Sequence, residues 1–153
     1  MKSIQQRRIF LLCSLITLLI PGTPALAKDF SKGELVVRIS GFSSNSGKAM
    51  VALVNSVGQY EARKGGETPY QAMSLSIESG HASHRFENIP YGKYAIKVFH
   101  DANANGELDT NFIGMPKESY GFSNNVRAFG MPSYEEAKFI FGEEQVEVAI
   151  IVE

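Results

Sequence analysis

Short runs of alternating apolar and polar residues, each closed by a turn cluster, commit this chain to β-structure. Glu34 to Ser40 sets Leu35, Val37 and Ile39 on one face and Glu34 and Arg38 on the other. Ala72 to Glu78 repeats the pattern with Met73, Leu75 and Ile77, and Lys93 to His100 repeats it with Tyr94, Ile96 and Val98 against Lys93 and Lys97. The closing segment does the same with Val146, Val148, Ile150 and Val152 against Glu147 and Glu153. A period of two is the side-chain geometry of a strand that is buried on one face. Lys48 to Asn55 is instead nearly continuous in apolar residues, the pattern of a central strand covered on both sides.

Between these runs the chain carries turn chemistry. Residues 41–47 are a Ser/Asn/Gly cluster, Glu78-Ser79-Gly80-His81 reads as a hairpin-like turn into a strand ending near Phe86, and Asn88 to Gly92 reads as another turn. Residues 56–70 form a loop with one helical turn around Tyr60. Ser133 with Glu136 three residues later is a capping box, and it predicts a helix of one or two turns entering at Ala137. About six or seven short strands without βαβ spacing predict an all-β, antiparallel β-sandwich with one short helix and a long ordered loop.

The first 27 residues are a different kind of segment. Lys2, Arg7 and Arg8 precede an almost wholly apolar run from Ile9 to Ile20, and Ala25-Leu26-Ala27 follows a Pro/Gly break. That succession is a cleavable secretory signal peptide, too short to span a bilayer stably. Gln6-Arg7-Arg8 resembles a twin-arginine signal, but the greasy run favours general secretion, and bulky Leu12 before Cys13 disfavours a lipid anchor. Cleavage would leave residues 28–153 as a single periplasmic or secreted domain. That domain keeps 12 of the 15 Lys and Arg and all 16 Asp and Glu, a formal charge of −4. Such a balance argues against nucleic acid or an anionic membrane surface as partner. The single cysteine, Cys13, leaves with the leader, so no disulfide supports the fold.

The chemistry concentrates after the Lys93 strand. Asp101-Ala102-Asn103-Ala104-Asn105-Gly106-Glu107-Leu108-Asp109 has the first nine positions of a calcium loop, D-x-N-x-N-G-x-x-D. Asp101, Asn103, Asn105 and Asp109 offer side-chain oxygens at positions 1, 3, 5 and 9, and Glu107 offers its carbonyl at position 7. Gly106 stands where the backbone must turn sharply. Phe112 occupies position 12, where the usual bidentate Glu belongs, so another oxygen must complete the sphere. Glu118, Asn124 and Asn125 are the candidates, Glu118 first. The alternative is an ordinary turn, because Asp, Asn and Gly also dominate turns by tolerating left-handed backbone and bonding nearby amides.

Residues 100–132 carry no sustained strand or helix period, and an ordered connection of that length tends to be functional. Phe112, Ile113, Tyr120 and Phe122 are expected to pin it to the sandwich. The alternative is a solvated loop packed by its own aromatics. The run Gly92 to Asp109, with Gly114-Met115-Pro116-Lys117-Glu118-Ser119-Tyr120-Gly121-Phe122-Ser123-Asn124-Asn125, resembles an uncharacterised bacterial family, domain of unknown function 2141. The resemblance covers about residues 33–152. It implies an exported β-sandwich of transthyretin-like or immunoglobulin-like form, and it implies no activity.

Two function classes follow. One is an exported, non-catalytic binding or interaction module of unknown ligand or protein partner, with Ca²⁺ held at Asp101, Asn103, Asn105, Glu107 and Asp109 and helped by Glu118. The other is a small periplasmic hydrolase-like enzyme using His100 as general base with Asp101 or Glu118. No G-x-S-x-G elbow, H-E-x-x-H, phosphate loop or C-x-x-C occurs, which lowers the weight of the second class. His81 and His84 lie three apart in a strand, which points them to opposite faces and disfavours a shared metal.

Overall fold

The computed structural model describes residues 31–62, 65–127 and 130–153. The expected leader (residues 1–27) and the expected new N-terminus, Lys28, lie outside the described residues. Among the described residues no helix is long and apolar enough to cross a membrane.

The alternating segments become strands with the expected parity. β1 (Lys32–Ser40) buries Leu35, Val37 and Ile39, and β2 (Lys48–Val54) buries Ala49, Val51 and Leu53. A single helical turn, α1 (Val57–Glu61), starts at Ser56, whose hydroxyl accepts from Gln59 N at 3.2 Å. β3 (Gln71–Leu75), β4 (His81–Pro90) and β5 (Gly92–Asp101) follow. Then come β6 (Tyr120–Phe122), a 3-10 turn (Ser123–Asn125), α2 (Tyr134–Ala137), β7 (Phe139–Phe141) and β8 (Gln145–Ile151). α2 is short, as expected, and its capping box is complete: Ser133 Oγ accepts from Glu136 N while the Glu136 carboxylate accepts from Ser133 N at 2.8 Å.

The strands form two sheets, ordered β4-β1-β8 and β3-β2-β5-β6, with β7 also on β5. Their facing sides share one core, in which Leu35, Val37, Ile39, Phe86 and Ile150 of the first sheet meet Val51, Leu53, Tyr94, Ile96 and Val98 of the second. This is the all-β sandwich that the alternation dictates. Its ladders are antiparallel except one, because β1 and β8 run parallel from Glu34↔Gln145 to Ser40↔Ile151.

Two turn assignments change. Glu78 and His81 do form a bridge across Ser79 and Gly80, both at positive φ. Yet β3 and β4 belong to opposite sheets, so the tight turn changes layers instead of making a hairpin. β4 also continues to Pro90. Glu87 and Asn88 together face Glu34 across a register shift, and Asn88 sits at φ 57. A residue tolerant of left-handed backbone is absorbed as a bulge where the sequence suggested a turn.

A second, smaller core lies on the other face of β5. Val54, Tyr60, Ala95, Phe122, Tyr134 and Ala137 cluster there, which is why Ala95 is as buried as its neighbours Tyr94 and Ile96. Lys97 crosses the cluster: its ammonium lies 5.5 Å from the Tyr60 ring centre and donates to Tyr60 O at 2.6 Å. Burial pulls the Lys97 pKa below its ordinary value. Among the described residues the buried Tyr60 hydroxyl has no hydrogen-bond partner, and its pKa is pushed up by that burial and by Glu136.

Candidate cation-binding loop

The loop begins inside a strand. Asp101 is the last residue of β5, opposite Lys48 on β2, and is 2% exposed. Gly47, at φ 73, lies against it so closely that a Cβ there would meet Asp101 O at 2.0 Å. Only glycine fits that approach.

The Asp101 carboxylate points into the loop it opens. Its Oδ1 accepts from Asn105 N at 3.0 Å and its Oδ2 accepts from Gly106 N at 2.8 Å. The chain turns back through Ala104 (φ 58) and Gly106 (φ 80). Asn103 Oδ1 accepts from Asn105 N (3.1 Å), and Asn105 Oδ1 accepts from Glu107 N (2.8 Å), two successive side-chain turns. Both amide groups then reach one carboxylate: Asn103 Nδ2 donates to Asp109 Oδ2 at 2.8 Å and Asn105 Nδ2 to Asp109 Oδ1 at 3.2 Å.

Glu118 closes the mouth of the loop. Its Oε1 accepts from Ala102 N at 2.8 Å and its Oε2 from Asp109 N at 2.9 Å, while Lys117 N donates to Asp109 O at 2.8 Å. Asp101, Asp109 and Glu118 thus put three carboxylates on one short loop. Among the described residues none of the three has an ion-pair partner; amides alone meet them. No three His, Cys, Asp or Glu side chains of the described residues stand close enough together to hold a metal by themselves. What meets at Asp109 is its carboxylate and the side-chain nitrogens of Asn103 and Asn105, whose oxygens are turned to the backbone amides of Asn105 and Glu107.

The sequence-predicted residues therefore divide. Asp101, Asn103, Asn105 and Asp109 are brought together, and Glu118 is brought to both ends of their loop. Glu107 contributes its backbone, whose nitrogen is held by Asn105. Asn124 and Asn125 serve elsewhere. Asn124 donates to Glu136 O and Lys138 O, and Asn125 spans the edge of β8 by donating to Ala149 O and accepting from Ile151 N. Tyr120 and Phe122 pack inward as expected, but Phe112 and Ile113 do not: they are 99% and 65% exposed.

His100 is 3% exposed, with Nε2 2.8 Å from Ser46 O and its ring edge-on to Phe42. Its Nε2 is occupied by a carbonyl. His81 is exposed and its Nδ1 meets Ser79 O at 2.8 Å, whereas His84 packs on Phe86 and burial lowers its pKa. A shallow cleft of 210 Å³ is lined by Tyr120, Phe122, Asn125, Arg127 and Glu153, none of them a residue of the loop.

Residues 37–149 match a bacterial family described as an uncharacterised protein conserved in bacteria, DUF2141. The chain belongs to this family. Neither the curated proteins nor the solved structures give a match. The match covers β2 to β7 whole, the second half of β1 and most of β8, with the 101–109 loop near its centre. Membership in DUF2141 carries no assigned reaction, so any functional statement rests on the loop.

Proposed function

We propose that this DUF2141 chain is an exported, non-catalytic binding module whose 101–109 loop takes up Ca²⁺. The observation that carries the reading is the convergence of Asn103 and Asn105 on the Asp109 carboxylate above the inward-turned Asp101 carboxylate. A carboxylate offers about four lone-pair sites. Asp101 and Asp109 each use two on amides, which leaves oxygen capacity on both for a hard cation. The Asn oxygens, the Glu107 carbonyl and water supply the remaining ligands for a sphere of six to eight. Rotation of the Asn103 and Asn105 amides would turn their oxygens inward as the ion replaces their bonds to Asp109. Glu118 acts first as the clamp on Ala102 and Asp109, and as a ligand through its second lone pairs.

With only two carboxylates from the loop itself and no bidentate Glu at position 12, affinity should be on the order of 10⁻⁴ to 10⁻³ M. Mg²⁺ should bind less well, since it demands a tighter octahedron and keeps its waters. His100 bonded to a carbonyl inside the fold favours this reading over the hydrolase alternative, in which it would face an open cleft beside a free carboxylate. Calcium titration followed by amide NMR tests the proposal. Shifts should centre on residues 101–109 and 118 and saturate with a millimolar-range midpoint. A spectrum unchanged at calcium on the order of 10 mM would sink it.

A further inference from the structure

Beyond the cation loop, residues 110–117 form a small braced tip. Thr110 and Pro116 make a bridge, Asn111 N donates to Met115 O at 2.8 Å, and Gly114 N donates to Asn111 O at 2.9 Å. Asn111 Oδ1 accepts from both Ile113 N (3.0 Å) and Met115 N (2.9 Å). This staple holds apolar side chains outward: Phe112 is 99% exposed, Ile113 65% and Met115 53%. Water-exposed apolar residues scattered singly are ordinary, but three at one structured turn mark a surface meant to be covered.

Three features select what covers it. The side chains project from a turn braced within itself, so they can enter a lipid layer without disturbing the sandwich. The amides of Ile113, Gly114 and Met115 are already bonded inside the tip, so they can leave water without becoming orphans in hydrocarbon. The charge pattern agrees: residues 110–117 contain no carboxylate, and Lys117 stands at the base where phosphate headgroups would lie. The next residue, Glu118, is turned away into the clamp on Ala102 and Asp109. We infer that Phe112, Ile113 and Met115 insert into the headgroup–acyl boundary of a zwitterionic phospholipid layer. The −4 charge of residues 28–153 disfavours capture by anionic lipid, so the attraction is apolar and local. The inference goes beyond the calcium reading and does not require it.

The chain has no tryptophan, so a single introduced indole reports its own surroundings. Phe112→Trp in the full chain is mixed with phosphatidylcholine vesicles, with and without bromine-labelled acyl chains. Ile140→Trp is the control, since Ile140 is also outward, at 77% exposed, but pairs with Lys93 at the far end of β5. The indole at 112 should shift to the blue and be quenched by bromine while the one at 140 stays unchanged. Phe112→Asp combined with Ile113→Asp should lower vesicle partitioning about tenfold or more, at unchanged melting temperature. Silence at 112, an equal response at both positions, or a shift without vesicles that grows with protein concentration (tips of two copies meeting) would each overturn the inference.

Discussion

The irregular stretch after β5 contains two halves held by different forces. Residues 101–118 are tied by side-chain oxygens to backbone amides, with Asp101, Asn103, Asn105, Asn111 and Glu118 as the ties. Residues 120–127 and 130–138 are tied by apolar burial, with Phe122, Tyr134 and Ala137 packed on Tyr60 and Ala95. The second half leaves the edge of β5 at Phe122, opposite Lys97, and returns at Phe139, opposite Tyr94. Ser123 fills the gap in that edge: its hydroxyl accepts from Ile96 N at 2.9 Å and donates to Ala137 O at 2.5 Å. One half is therefore part of the sandwich, and the other is an appendage held by polar bonds. Lack of periodicity says nothing about which physics holds a segment.

Substitutions should separate the halves. The largest contrast is between two phenylalanines of the same stretch. Phe122→Ala, in the small core, should cost about 3–5 kcal/mol in denaturant unfolding. Phe112→Ala should stay within about 0.5 kcal/mol, as an exposed site does. Equal losses would erase the distinction. Ser123→Ala should cost about 1–3 kcal/mol, because it leaves Ile96 N and Ala137 O without that partner inside the fold. Tyr60→Phe should do the reverse. Removing a buried hydroxyl that has no partner should raise stability by about 1 kcal/mol, and a loss would mean the hydroxyl is satisfied in solution.

A smaller effect belongs to the helix that closes the second half. The Ser133 hydroxyl and amide hold the Glu136 pKa below its ordinary 4.5. A lowered folded-state pKa means a contribution present above pH 4.5 and lost as pH falls through the folded value. Glu136→Gln keeps the cap hydrogen bond without the charge. Wild type should exceed it slightly at neutral pH, and the difference should vanish in acid. A difference independent of pH would remove Glu136 ionisation from the account.

Strand parity was legible because β1, β5 and β8 each turn one face to the main core, and alternation records that directly. Partner choice was not legible. The parallel β1–β8 ladder and the layer change at Ser79-Gly80 depend on contacts remote in sequence, which a period cannot carry. The second core escaped for the same reason, since Tyr60, Ala95, Phe122 and Tyr134 share no common spacing. In the loop, the register of Asp101, Asn103, Asn105 and Asp109 was readable from the motif alone. The fates of Asn124, Asn125, Phe112 and Ile113 were not. An asparagine that bridges a strand edge and one that could ligate a cation look the same in sequence.

Thermal melting of the wild-type chain and of Asp101→Ala, in chelator and in calcium at about tenfold over a Kd on the order of 10⁻³ M, tests the calcium proposal most directly. Native-state binding should add RT ln(1 + [L]/Kd), about 1.4 kcal/mol, and raise the wild-type Tm by about 4–7 °C. Asp101→Ala should melt at one temperature in both conditions. A wild type that melts at the same temperature with calcium and with chelator would leave the loop an ordinary turn and contradict the proposal.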